Sequence, residues 1–220
     1  MSHAPRKAPV ADVQAVQFKV LEHVFPVLRH DAVKPISNAK LAAAMLARSM
    51  AAADGAGAPD RGQQLVEDID QLLDDGVDAM RGLGDWFADT GSLEDLHNLL
   101  FECRKLLFTH LLLTGKKIQL PEETDTRRIV KVQPSRYVLL AWLLYTLQDM
   151  QPGATLQLDY DEAGRLTATV RDDGPAPANA QADAALSVVT AEEARQVASH
   201  YGWSIEGNQG GWHASVPMIQ

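Results

Sequence analysis

Apolar residues recur along the first third of the chain in steps of three, four or seven. Leu21, Val24, Leu28, Ala32, Ala39, Ala42, Leu46 and Met50 fall on one stripe of a long amphipathic helix. The stretch "AAADGAGAPDRG" then interrupts the pattern with three glycines and a proline. A second stripe follows through Leu65, Ile69, Leu72, Met80, Leu83 and Phe87, interrupted by Gly76, and it fades near "ADTGS". Two helices of about 30 residues, at ~1.5 Å per residue, make rods near 45 Å long. A lone hairpin of that length leaves part of each stripe uncovered, which predicts pairing with a second copy as a four-helix bundle.

Beyond residue 91 the period changes. "SLEDLHNLLFECRKLLFTHLLLTGKKIQLPEE" reads as a helix, with Ser92 and Asp95 as its N-cap pair, running into a strand at "KKIQLPEE". "QPSRYVLLAWLLYTLQDM" reads as an apolar helix with Pro134 near its first turn. "ATLQLDYDEAGRLTATVRDDG" alternates as a β-hairpin closed by "DEAG". Thr190 and Glu193 stand at capping-box spacing at the head of "TAEEARQVASHYG", and "WSIEGNQGGWHASVPM" reads as a last hairpin.

Charge narrows the choice of partner. The chain of 220 residues has 20 basic and 29 acidic side chains, too few cations for wrapping nucleic acid or an anionic membrane. Residues 1–50 hold seven Lys/Arg and three Asp/Glu, a net of +4, whereas residues 51–100 hold two and twelve, a net of −10. Opposite bias in consecutive segments suits two antiparallel helices. The single cysteine, Cys103, lies in the apolar context "LLFECRKLLF", which excludes an internal disulfide and predicts a core thiol. With no apolar leader and no run long enough for a membrane span, a soluble cytoplasmic protein is expected.

His30 differs from the other histidines, which read as surface or satisfied polar positions. It falls two residues after Leu28, nearly opposite the buried stripe at ~100° per residue, so its ring is expected to be exposed. Pro35 follows five positions later. Proline has no amide hydrogen and crowds the carbonyl four residues back, that of Asp31, so the helix is expected to loosen beside the imidazole at a cost of roughly 3 kcal/mol.

"HDAVKPI" resembles the H-box of bacterial sensor histidine kinases, in which a phosphoacceptor histidine precedes an acidic residue and, five positions on, a proline. The order of the later elements is similar to that family's ATP-binding domain over about residues 20–220. The resemblance implies an α+β fold, with a helical hairpin at 15–90 that forms a dimeric four-helix bundle. A degenerate histidine-kinase-type (GHKL) α/β sandwich at 91–220 would follow it, and residues 1–14 would be a disordered N-terminus.

The departures from the family pattern shape the expected activity. The positions similar to the magnesium-holding N-box are Tyr145 and Asp149, without an asparagine. Asp172 and Gly174 stand where the family has its Asp-x-Gly triplet, yet no glycine lies between Gly174 and Gly202, where a phosphate-covering lid needs them. ATP binding is therefore not expected, and no metal or cofactor is expected on this chain.

That combination resembles the kinase-derived histidine phosphotransferases of the ChpT-like kind, which relay a phosphoryl group between receiver-domain aspartates. On it, His30 is the nucleophile, Asp31 orients it or accepts its ring proton, Lys34 meets phosphate oxygens one turn on, and Pro35 supports the helix. Magnesium would come with the partner receiver. The alternatives are a non-catalytic dimeric regulator that binds a response regulator or kinase, and an atypical ATP-dependent kinase.

Overall fold

A computed structural model describes residues 10–52, 59–122, 127–161, 165–172, 188–208 and 211–215. The chain divides into two units, one of residues 25–88 and the other of the segment up to Val24 together with Asp89–Gln220. The fold is α+β.

The first unit is a helical hairpin. Helix α1 spans Val10–Ala52 and α2 spans Pro59–Gly84. The helix α1 already runs at Val10, within the stretch expected to be disordered, and continues without a break through Pro26 and Pro35. Along α1 the expected stripe points inward, with Val24, Ala32 and Ala39 buried, but Met50 at its end is exposed.

On α2 the inward face runs Leu65, Ile69, Leu72, Gly76, Ala79, Leu83. Met80 and Phe87, expected on that face, are 59% and 70% exposed, and Trp86 is buried instead. Gly76 is the reason the pattern misled. It is not an interruption of the stripe but a position packed against α1: a Cβ there would sit 3.2 Å from Ile36 Cγ1 and 3.8 Å from Pro35 Cβ. Glycine lets the backbone of α2 come up against α1 at the turn that carries Pro35.

The second unit is a sheet covered by helices. Strand β1 (Leu93–Asp95) leads into α3 (Leu96–Leu106), α4 (Phe108–Thr114) and β2 (Lys117–Gln119). Then come β3 (Ile129–Lys131), α5 (Val132–Gln148), β4 (Thr155–Tyr160), β5 (Leu166–Arg171), α6 (Ala191–His200), β6 (Ser204–Asn208) and β7 (Gly211–Ser215). Five strands lie in the order β2-β4-β5-β7-β6, with β2 parallel to β4 and the rest antiparallel, while β1 and β3 form a separate antiparallel pair. The two expected hairpins are β4–β5 and β6–β7. The short strands β1 and β3 were not expected, since three residues are too few to show a period.

The single helix expected over "DLHNLLFECRKLLFTHLLLT" is two helices that meet at Leu107, and α4 ends on Gly115 in the left-handed conformation (φ 69°) that glycine adopts at no steric cost. The N-cap of α3 is Asp95 alone. Its carboxylate accepts from the His97 amide at 2.8 Å and from the Arg128 amide at 3.1 Å, tying the helix start to the approach of β3. Ser92 bonds the Thr90 hydroxyl instead.

Helix α5 is the centre of this unit, buried almost all round, with Leu139, Leu140 and Leu144 at 0% exposure. One face of the sheet supplies Leu156, Leu158, Leu166, Ala168, Ile205 and Ala214 to the core. Cys103 is fully buried, and burial holds its thiol well above the usual range, as a core cysteine should be. The capping box of α6 is present in full, Thr190 Oγ1 accepting from the Glu193 amide and Glu193 accepting from the Thr190 amide.

The start of α1 belongs to this unit. Val13, Val16, Val20 and Val24 are buried, Gln17 Nε2 donates to the Tyr201 hydroxyl at 2.6 Å, and Lys19 reaches both Glu193 and the Val188 carbonyl.

Candidate functional site

His30 lies on α1 with its side chain 70% exposed, as its position opposite the inward stripe requires. Its Nδ1 stands 3.3 Å from Asp31 Oδ1. A carboxylate only accepts, so Nδ1 is the donor in this contact, and Nε2 is the ring nitrogen that Asp31 does not engage. Lys34, one helical turn further on, is exposed on the same side of the helix. Pro35 is half-buried and turns toward the Gly76 backbone of α2. His30, Asp31 and Lys34 are thus carried on one continuous helix, and the proline that follows is half-buried.

The sequence-predicted nucleotide positions are arranged differently. Tyr145 is half-buried near the end of α5, and Asp149 is the C-cap of that helix. Burial raises the Tyr145 phenol first, the charge of Asp149 and a hydrogen bond between the two side chains raise it further, and Arg195 of α6 opposes them. The phenol and the carboxylate are therefore partners of each other, with a protein cation nearby. Sequence reasoning missed Arg195, which is four residues after the helix start at Ala191 and carries no motif of its own. Asp172 is exposed at the end of β5, and Gly174 lies outside the described residues. Among the described residues, no group of three or more His, Cys, Asp or Glu side chains is placed to hold a metal ion. No helix among them is long and apolar enough to cross a membrane.

No family model matches the chain, and no curated protein matches it. Solved structures do. The chain is similar to the cytoplasmic segment of the histidine kinase QseC at 17% identity and a TM-score of 0.41, covering 76% of this chain and 97% of that one. It is similar to the Acinetobacter baumannii histidine kinase AdeS at 15% identity and a TM-score of 0.43, covering 87% and 98%. A third similar structure is histidine kinase ThkA in complex with the response regulator protein TrrA, at 12% identity and a TM-score of 0.41, covering 92% of this chain and 63% of that one. These overlaps are low, and the chemistry of this chain rests on its own side chains.

Proposed function

We propose that the chain is a histidine phosphotransferase of a two-component phosphorelay, passing a phosphoryl group between receiver-domain aspartates through His30. The observation that carries this reading is the exposed imidazole with Nδ1 turned to Asp31, which leaves Nε2 as the nucleophile. In the forward step Nε2 attacks the phosphorus of an aspartyl phosphate. The N–P bond forms as the P–O bond to the receiver's carboxylate breaks, and the freed carboxylate leaves with the bonding pair. Asp31 offsets the positive charge that develops on the ring, and Lys34 offers a point charge to the phosphoryl oxygens. The receiver supplies magnesium and its own acidic pocket, and the reverse sequence loads a second receiver.

On this reading the hairpin works as a homodimer. Val66, Leu73, Val77 and Met80 are exposed and repeat in steps of seven, four and three, the seam of a coiled-coil partner. They form a second apolar row beside the one that faces α1, and a second copy would cover it in a four-helix bundle. On this reading the nucleotide region is not used, because the stretch between Gly174 and Gly202 holds no glycine for a close backbone approach to phosphates.

The test is incubation of the purified chain with each phosphorylated receiver of its host, and separately with radiolabelled ATP and magnesium. Label should appear on the chain from at least one receiver and not from ATP. Labelling by ATP alone would make the chain a kinase, and no labelling from any receiver would leave a non-catalytic regulator.

A further inference from the structure

Two cavities of about 640 Å³ and 650 Å³ adjoin along α3, α4 and β2 and share Phe101, Arg104 and Lys117 in their walls. Their linings differ. The first is polar, with His97, Gln119 and Thr155, and it follows the chain from Lys117 through Pro121. The second is apolar, lined by Phe108, Leu111 and Leu112. Phe101, Phe108 and Leu112 are 54%, 61% and 68% exposed, a concentration of large apolar side chains that a soluble surface rarely carries without a partner. Among the described residues no carboxylate lines either cavity, while Arg104 and Lys117 line both, in a chain whose net charge is −9. Arg104 lies over the Phe101 ring, 5.1 Å from its centre, so the cation and the aromatic face are presented together. At the polar end, His97 Nδ1 is a buried atom with no hydrogen-bond partner among the described residues.

The strand along this groove has one side without a neighbouring strand among the described residues. β2 is the terminal strand of the five-stranded sheet as described, paired with β4. The Lys117 amide donates to the Ala154 carbonyl at 3.0 Å, so the alternation of a strand turns the peptide groups of Ile118 to the other edge.

We propose that this groove is a docking site for an acidic, extended segment of a partner protein. The segment would add to the free edge of β2 through main-chain hydrogen bonds at Ile118. It would place an aromatic or aliphatic side chain against Phe101, Phe108 and Leu112, and set carboxylates against Arg104 and Lys117. A neutral or basic segment would leave the cations unanswered, and a rigid globular face would not enter a groove that follows five consecutive residues of backbone. This inference goes beyond the phosphotransfer reading and does not involve His30.

The probe is a phage-displayed library of random dodecapeptides panned against the full chain, followed by fluorescence anisotropy with the most enriched sequence as a labelled synthetic peptide. Enriched sequences should carry an excess of Asp and Glu around at least one Phe, Leu, Ile or Tyr. The double variant Arg104→Glu/Lys117→Glu should bind the synthetic peptide at least about tenfold more weakly, since charge reversal opposite a carboxylate turns attraction into repulsion. Its thermal melt and its transfer of label from receivers should match the parent, which separates this outcome from any failure of the His30 assignment. Failure to enrich any sequence, enrichment without an acidic excess, or undiminished binding to the double variant would each overturn the proposal.

Discussion

The turn around His30 and the end of α5 around Tyr145 and Asp149 both place an acidic residue beside a ring, and they use it in opposite ways. At His30 the ring is turned to solvent and the carboxylate takes only one of its nitrogens, so a reactive atom is left over. At Tyr145 the ring is half-buried, the carboxylate accepts its hydroxyl, and Arg195 counters the remaining charge. The Tyr145 hydroxyl takes one acceptor site of the Asp149 carboxylate, which is itself exposed at the end of α5.

The largest effect expected from this contrast is the loss of phosphotransfer in His30→Gln. Removing the nucleophile should reduce transfer from a phosphorylated receiver to background, while the melt stays within about 0.5 kcal/mol of the parent because the side chain is exposed. Residual transfer at the parental rate would place the acceptor elsewhere. Pro35→Ala comes next. It restores an amide donor to the helix and should stabilise it by up to ~3 kcal/mol. Transfer should slow by on the order of a hundredfold, because a small change in the aim of the imidazole is costly. Stopped-flow loading of the variant at the parental rate would leave the proline a purely structural residue.

Gly76→Leu tests whether the packing behind Pro35 holds the presenting helix. A side chain there meets Ile36 at once, and overpacking of this kind costs about 1–3 kcal/mol. A lowered denaturation midpoint for the hairpin is expected, and an unchanged midpoint would mean that the two helices separate freely at that turn.

The clip between α1 and α6 should show in the dependence of stability on pH. Burial raises the Glu193 carboxyl, but the hydrogen bond from Lys19, the Thr190 amide and the Lys19 charge outweigh it, so its value in the folded protein is lowered. The stabilisation is therefore fully present above the ordinary glutamate range and is lost as pH falls through the lowered folded value. Glu193→Gln should flatten that part of the profile, by no more than about 1 kcal/mol for a partly exposed pair.

The smallest effect is expected at the other ring. Asp149→Asn removes the charge that raises Tyr145, so the phenol should titrate at lower pH in an absorbance titration, while transfer through His30 is unaffected. Loss of transfer in Asp149→Asn would show that the α5 end takes part after all.

Much of the helical hairpin was legible in the sequence because its spacing is local: one periodicity of three and four residues decides which side of α1 faces in, and that places His30 out. The capping box at Thr190 and Glu193 was legible for the same reason, since all its partners lie within one turn. The misses lie where a contact joins distant parts of the chain. Gly76 reads as a flaw in a stripe until Ile36 is seen against it, and Met80 and Phe87 were drawn inward to complete a pattern that Ala79 and Trp86 complete instead.

By itself, then, the sequence determined the helical periodicity, the exposure of His30, the neighbouring Asp31 and the absence of glycine between Gly174 and Gly202, because each depends on residue types at fixed short separations. Only the tertiary structure decided that α1 packs with α6 through Lys19 and Glu193, and that Arg195 of α6 stands near Tyr145. It also brought Phe101, Arg104 and Lys117 around one groove. Those outcomes depend on which side chains meet across separations of tens to hundreds of residues, where the balance of burial, charge and hydrogen bonding is struck between elements that no local pattern relates.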